Sequence, residues 1–229
     1  MKISINQPAY LPWLGYFDRI QKSDLHVVLD HVQFEKNSMI NRNKINSVDN
    51  PILLTVPVST KGKFGNLEIS TIEIDQVSQW QKKHWKTILL SYSKAPYFYK
   101  YKNELELIYK KKYTKLNDLL KDQLTFFLNA LRIKTPILFS SSLDLKKSKS
   151  DLIIEICKKT SACHYISGPY GRDYIDLEKF YENNILVSFH DYKHPNYSQL
   201  SKAFNSNLSI LDLIMNHGDS SLSILSNNP

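Results

Sequence analysis

The sequence predicts an α/β fold, a mostly parallel Rossmann-like sheet with an extended N-terminal insertion and a helical middle subdomain. Three observations carry this. Two short apolar runs, residues 3–5 and 25–29, flank a stretch of helical spacing, and strand–helix–strand order favours parallel pairing. Residues 78–131 keep a helical period with few breaks. Beyond them, apolar segments at 137–139, 164–166 and 186–189 accompany a further helical segment at 148–160.

Taken in order, Lys2–Asn6 is a short strand, and Leu14–Gln21 is a helix with Leu14, Phe17 and Ile20 near one stripe. Residues 25–29 form a buried strand. Residues 39–45 and 52–58 read as extended, joined by a turn at Asp49, Asn50 and Pro51, residue types that fix turn geometry. Residues 67–74 alternate apolar and polar and predict another strand. Trp80, His84, Ile88 and Leu89 mark an amphipathic helix that breaks at Ala95-Pro96, because proline disfavours helix in the residue before it. Residues 97–113 and 116–131 supply two more helices. The helix at 148–160 opens at Ser148 or Ser150, with Asp151 in its first turn, where a carboxylate suits the helix dipole. The strand at 164–166 stops at Ser167-Gly168-Pro169, and residues 220–229 read as a frayed tail. The expectation is one domain over residues 1–229 with a helical subdomain at 78–131.

Composition narrows the classes. The chain has 229 residues, 42% hydrophobic and 12% aromatic, enough for one good core. No apolar run approaches the ~20 residues of a membrane span. Lys2 is followed by strand-like alternation and prolines, so no secretory leader is expected. Cys157 and Cys163 are too few for a disulfide scaffold and lack the partner pair of a structural zinc site. A cytoplasmic protein without metal or cofactor is expected. The net charge is +8. Ten lysines lie between residues 80 and 115, interleaved with tyrosines such as Tyr92, Tyr99 and Tyr109. No nucleic-acid-binding signature accompanies them, so an acidic protein or a phosphate-bearing small molecule is the expected partner.

Three constellations suggest a site. The first is Gln7, Tyr10, Trp13 and Tyr16, in a proline-stiffened loop after the first strand, suited to stacking on a base or sugar. The second is Asp30, which ends the second apolar run, with Asn41 and Arg42. Arginine's planar fork suits phosphate or carboxylate, and the chain holds only four arginines, Arg19, Arg42, Arg132 and Arg172. A plain Arg42–Asp30 salt bridge is the competing reading. The third follows the strand at 186–189 and contains His190, Tyr192, His194, Tyr197 and Gln199. His194 is the expected general base, since imidazole titrates near neutrality, with packing as the competing role; His190 reads as exposed. Ser167-Gly168-Pro169-Tyr170-Gly171 is a weaker candidate for approaching a pyrophosphate.

Several of these segments resemble the WbqC-like protein family. Gln7-Pro8-x-Tyr10-x-Pro12-Trp13-x-Gly15-Tyr16-Phe17 is similar to its opening signature. Asp24-x-x-Val27-x-x-Asp30-x-Val32-Gln33-Phe34 and Asn41-Arg42-Asn43 follow in order. So do residues 92–98, His194-Pro195-x-Tyr197-x-Gln199 and residues 208–213, so that the resemblance runs over about residues 1 to 218. It implies a role in bacterial surface-polysaccharide (O-antigen type) gene clusters. The reaction implied is acyl or aminoacyl transfer to the amino group of a nucleotide-linked sugar. An acidic acyl-carrier protein, suited to the lysine-rich helical face, or another acyl donor is the expected partner. His194 and Asp30 would be catalytic. Gln7, Tyr10, Trp13, Tyr16, Asn41, Arg42, Tyr192, Tyr197 and Gln199 would bind substrate. A non-catalytic glycan-assembly module and a nucleotidyltransferase-like, carboxylate-activating enzyme are the alternatives.

Overall fold

A computed structural model describes residues 1–47, 50–60 and 67–226. The chain begins with β1 (Lys2–Asn6), α1 (Leu14–Gln21) and β2 (Leu25–Val28). Short strands follow: β3 (Arg42–Ile45), β4 (Ile52–Thr55), β5 (Val58–Ser59) and β6 (Glu73–Ile74). Three helices come next, α2 (Trp80–Tyr92), α3 (Phe98–Lys110) and α4 (Leu116–Leu131). The last part contains β7 (Ile137–Phe139), α5 (Lys149–Lys159), β8 (His164–Ser167), α6 (Leu177–Glu182), β9 (Leu186–Phe189), α7 (Ile210–His217) and α8 (Ser221–Ser226).

The main sheet has five strands in the order β7-β2-β1-β8-β9, and every pairing is parallel. This is the expected α/β, Rossmann-like architecture. The chain builds outward from β1 on one side through β2 and β7, then crosses to β8 and β9 on the other. The order therefore reverses between β1 and β8. Two antiparallel pairs, β3 with β4 and β5 with β6, form the extended insertion.

Side-chain alternation places a core on each face of the sheet. Ile3, Ile5 and Val27 pack with Leu152, Ile153 and Ile156 of α5. Ser4 and His26 are fully buried and meet through Ser4 Oγ and His26 Nδ1 at 2.7 Å. The His26 ring abuts Tyr16 of α1. The larger core joins α1 to α2–α4 and α7, with Phe17 edge-on to Phe127. The proline-rich loop after β1 plugs into this helical layer. Tyr10 is fully buried there, its hydroxyl shared between His84 Nδ1 and the Tyr109 hydroxyl, each at 2.7 Å.

Local departures from the sequence reading have physical causes. Residues 67–74 do not form one strand. Ile69–Thr71 is a 3₁₀ turn, which lets Ser70 N–H reach the Asp30 carbonyl and Ile69 N–H the Val32 carbonyl, leaving only β6 extended. The extended segment expected at 39–45 begins only at Arg42, and that at 52–58 is interrupted after Thr55, where Val56 N–H turns to the Asn41 carbonyl. The expected turn at Asp49 lies outside the described residues. Residues 220–226 are not a frayed tail. Leu225 of α8 is fully buried, and Gln21 Nε2 donates to Ser226 Oγ at 2.6 Å, so packing against α1 orders the segment.

Candidate functional site

Ligands of open parallel sheets settle at the carboxyl ends of the strands where the strand order reverses. Here that point lies between β1 and β8, and a cavity of about 610 Å³ occupies it. The end of β1 contributes Asn6 and Gln7, and the loop after β8 contributes Gly168 to Gly171. Trp13, Tyr16, Tyr165, Tyr170 and Tyr174 supply aromatic walls. The cavity lies beyond β1 and β8, whereas β2 ends under a closed polar network described below.

Among the described residues one charged group lines the cavity. Arg19 stands on the last turn of α1, where its charge suits the helix dipole. Tyr16, Tyr165 and Tyr174 surround it, and no acidic side chain pairs with it among the described residues. Its Nε is buried without a hydrogen-bond partner. Burial holds the guanidinium below the ordinary arginine range. An unpaired, partly desolvated cation is costly, and an anion entering the cavity offsets that cost. Asn6 Oδ1 is also buried and unpaired, so the same cavity offers an acceptor.

The sequence-selected residues divide. Gln7, Trp13 and Tyr16 line the cavity. Tyr10 does not, being committed to the helical layer. Asp30 is fully buried, and its carboxylate accepts from Asn117 Nδ2, Ser141 N–H and Ser141 Oγ at 2.8 Å and from Ser140 Oγ at 3.2 Å. Its four acceptor positions are all engaged, so none is left for a substrate. Asn41 Nδ2 donates to the Val56 carbonyl. Arg42 bonds Asn37 through side chain and backbone, and forms neither a cavity wall nor the Asp30 salt bridge. His194 Nδ1 meets the Pro195 carbonyl at 2.9 Å. Its Nε2 is buried without a partner, and Tyr192, Tyr197 and Phe204 enclose the ring. Tyr192 stands one layer behind the cavity, edge-on to Trp13 at 5.6 Å. Tyr197 is buried, and Gln199 holds both the N–H and the carbonyl of Asn205. Among the described residues no group of three His, Cys, Asp or Glu side chains is placed to hold a metal ion.

The comparisons agree with the ordered motifs. The family model of the WbqC-like protein family matches residues 7–224. The chain belongs to the WbqC-like protein family. It is also 35% identical over 219 residues to an uncharacterised protein of Mycobacterium tuberculosis, covering 95% of this chain and 94% of the relative. No solved structure matches. Among the described residues of this WbqC-like protein, no helix is long and apolar enough to cross a membrane.

Two features of this WbqC-like protein, one in the cavity and one outside its lining, escaped the sequence reading. One is Arg19, whose signal was its rarity among lysines. The other is a pair formed by Asp18 and His190. His190 was expected to be exposed, yet it is 8% exposed, and its Nε2 donates to Asp18 Oδ2 at 2.6 Å. Nothing in a linear reading joins residues 172 positions apart. Burial opposes ionisation of Asp18, but hydrogen bonds from His190, Lys22 and Gln21 outweigh it and hold the carboxyl below its usual range.

Glycine has a defined job beside Arg19. A Cβ on Gly168 would occupy the space held by Arg19 Nη1. Gly168→Ala is therefore expected to displace the guanidinium while leaving the backbone unstrained, since the Gly168 φ of −72° is open to any residue. Thermal melting should change little, and anion binding in the cavity should weaken. Unchanged binding would remove Arg19 from the site.

Proposed function

We propose that this WbqC-like protein is a cytoplasmic transferase of bacterial surface-polysaccharide (O-antigen type) assembly. It takes a nucleotide-linked amino sugar into the cavity between β1 and β8 and acylates or aminoacylates the sugar's amino group. The observation that carries this reading is the unpaired Arg19 guanidinium in a cavity at the strand-order reversal. Its fork suits a phosphate. The aromatic walls suit a base or sugar ring, and about 610 Å³ is within the range for a ligand of that size. Asn6 Oδ1 is placed to accept from a hydroxyl or amine. The donor fits an acidic acyl-carrier protein. Residues 80–115 hold ten lysines against two glutamates, and Leu90, Tyr99 and Leu107 are exposed among them.

Calorimetric titration of the full chain with uridine and thymidine diphosphate sugars tests the reading. Saturable binding is expected. Arg19→Gln should weaken it roughly tenfold to a hundredfold, the worth of hydrogen bonds to a charged group. Failure of every nucleotide sugar to bind, with simple carboxylates binding instead, would overturn the nucleotide assignment.

A further inference from the structure

We propose that the Asn41-Arg42-Asn43 motif shapes the cavity without touching its contents, and that Arg42 is the positioning residue for the wall formed by Ser38, Met39 and Ile40. This deepens the reading above, that the cavity takes a nucleotide-linked amino sugar, and rests on it for the choice of ligand. Ser38, Met39 and Ile40 line the cavity, and the three motif residues do not. Met39 is 44% exposed there. Its flexible thioether side chain adapts to the ring or apolar edge of a ligand.

Each motif residue holds one boundary of the site. The Arg42 fork reaches back five residues to Asn37. Nη1 donates to Asn37 Oδ1 at 3.1 Å, and Nη2 donates to the Asn37 carbonyl. Side chain and main chain of one residue are thus gripped together, and Asn37 is where the chain turns into the wall. Its φ of +65° lies in the left-handed region, which asparagine tolerates better than most residues. Fixing Asn37 fixes the direction of the three residues that follow. Both Asn37 oxygens are neutral, so the fork serves geometry, and a lysine ammonium does not match that planar fork. Tyr10 N–H holds the middle of the wall by donating to the Met39 carbonyl at 3.2 Å. Asn41 closes its far end. Asn41 Nδ2 donates to the Val56 carbonyl, and the Val56 N–H donates to the Asn41 carbonyl, both at 2.8 Å. Asn43 Nδ2 donates to the Leu11 carbonyl. Leu11 is fully buried at a left-handed φ of +45°, two positions before the cavity-lining Trp13.

Methyl resonances of isotope-labelled methionine test this on the full chain. The chain has three methionines, Met1, Met39 and Met215. Met39→Leu assigns the signal of the wall, and Met215, fully buried on α7, reports the fold. Arg42→Gln should shift the Met39 signal toward its unfolded position while Met215 stays. Affinity for uridine diphosphate glucosamine should fall roughly tenfold, the loss when the wall spends about a tenth of its time in place. Asn37→Gly keeps the left-handed turn and the backbone carbonyl and deletes Oδ1, so it should shift Met39 in the same direction. If Arg42→Gln does not fold, this second variant decides. A Met39 signal unmoved in both variants, or an unchanged dissociation constant with Met39 displaced, overturns the proposal. If the nucleotide sugar does not bind the wild-type protein, the nucleotide reading fails, and the Met39 signal still decides the clamp.

Discussion

Lowering the pH from 7 to 4.5 is expected to remove about 5 kcal/mol of folding stability, most of it through two buried histidines. Burial first, and the nearby Arg19 charge second, push His26 down to about 3. Burial pushes His84 down to about 4. Between these values and the ordinary 6.5, the unfolded chain binds protons that the folded chain refuses. Stability is therefore full above 6.5 and is lost as the pH falls toward the folded values. Two units below 6.5, each histidine accounts for roughly 2.7 kcal/mol. The sum rivals the whole stability of a marginal domain, about 5–15 kcal/mol. Urea unfolding at the two pH values, with a constant slope, measures it. His84→Gln keeps an acceptor for the Tyr10 hydroxyl and should shrink the drop by about half, since only His26 then titrates. Equal midpoints at pH 7 and 4.5 would contradict the burial argument.

Asp30→Ala is expected to cost about 3–5 kcal/mol, the penalty for stranding buried polar partners. Asn117, Ser140 and both donors of Ser141 would lose their acceptor at once. The melting temperature should fall by on the order of 10 °C. Nucleotide-sugar affinity of the folded fraction should stay at the wild-type value, because Asp30 does not line the cavity. A variant with wild-type melting and abolished turnover would return Asp30 to the reaction.

The strands of the main sheet and α1 to α5 were legible because each rests on local periodicity, and the parallel pairing because strand–helix–strand order favours it; α8 was misread as a frayed tail because its order comes from packing against α1. Residues 67–74 were misread because their alternation records burial against the helical layer, while their backbone bonds go to residues 30 to 32. The site was legible where loop chemistry is unusual. Gln7, Trp13 and Tyr16 follow a proline-stiffened strand end, and the glycine loop at 168–171 follows another. Asp30 and Arg42 misled because a polar residue at a strand end looks alike whether it faces a ligand or ties loops together. The Asp18–His190 pair has no linear signature at all. Asp18 lies on a helix that reads as amphipathic core, and only the crossing from β1 to β8 brings β9 beside it.

That crossing also dictates the timetable of assembly. β1 is the central strand, yet Lys2 pairs with His164. At synthesis rates of about 5–20 residues per second, roughly ten to thirty seconds separate the emergence of the two strands. During that interval β2 can dock on one side of β1 while the opposite edge stays open to unwanted strand partners. Pairing at such sequence distance also slows folding, because the loop must close before its contacts repay it. The ligand cavity, whose two walls are the ends of these strands, is consequently among the last features to appear. Nascent chains halted before residue 164 should be captured by strand-binding chaperones and should carry no affinity for the ligand.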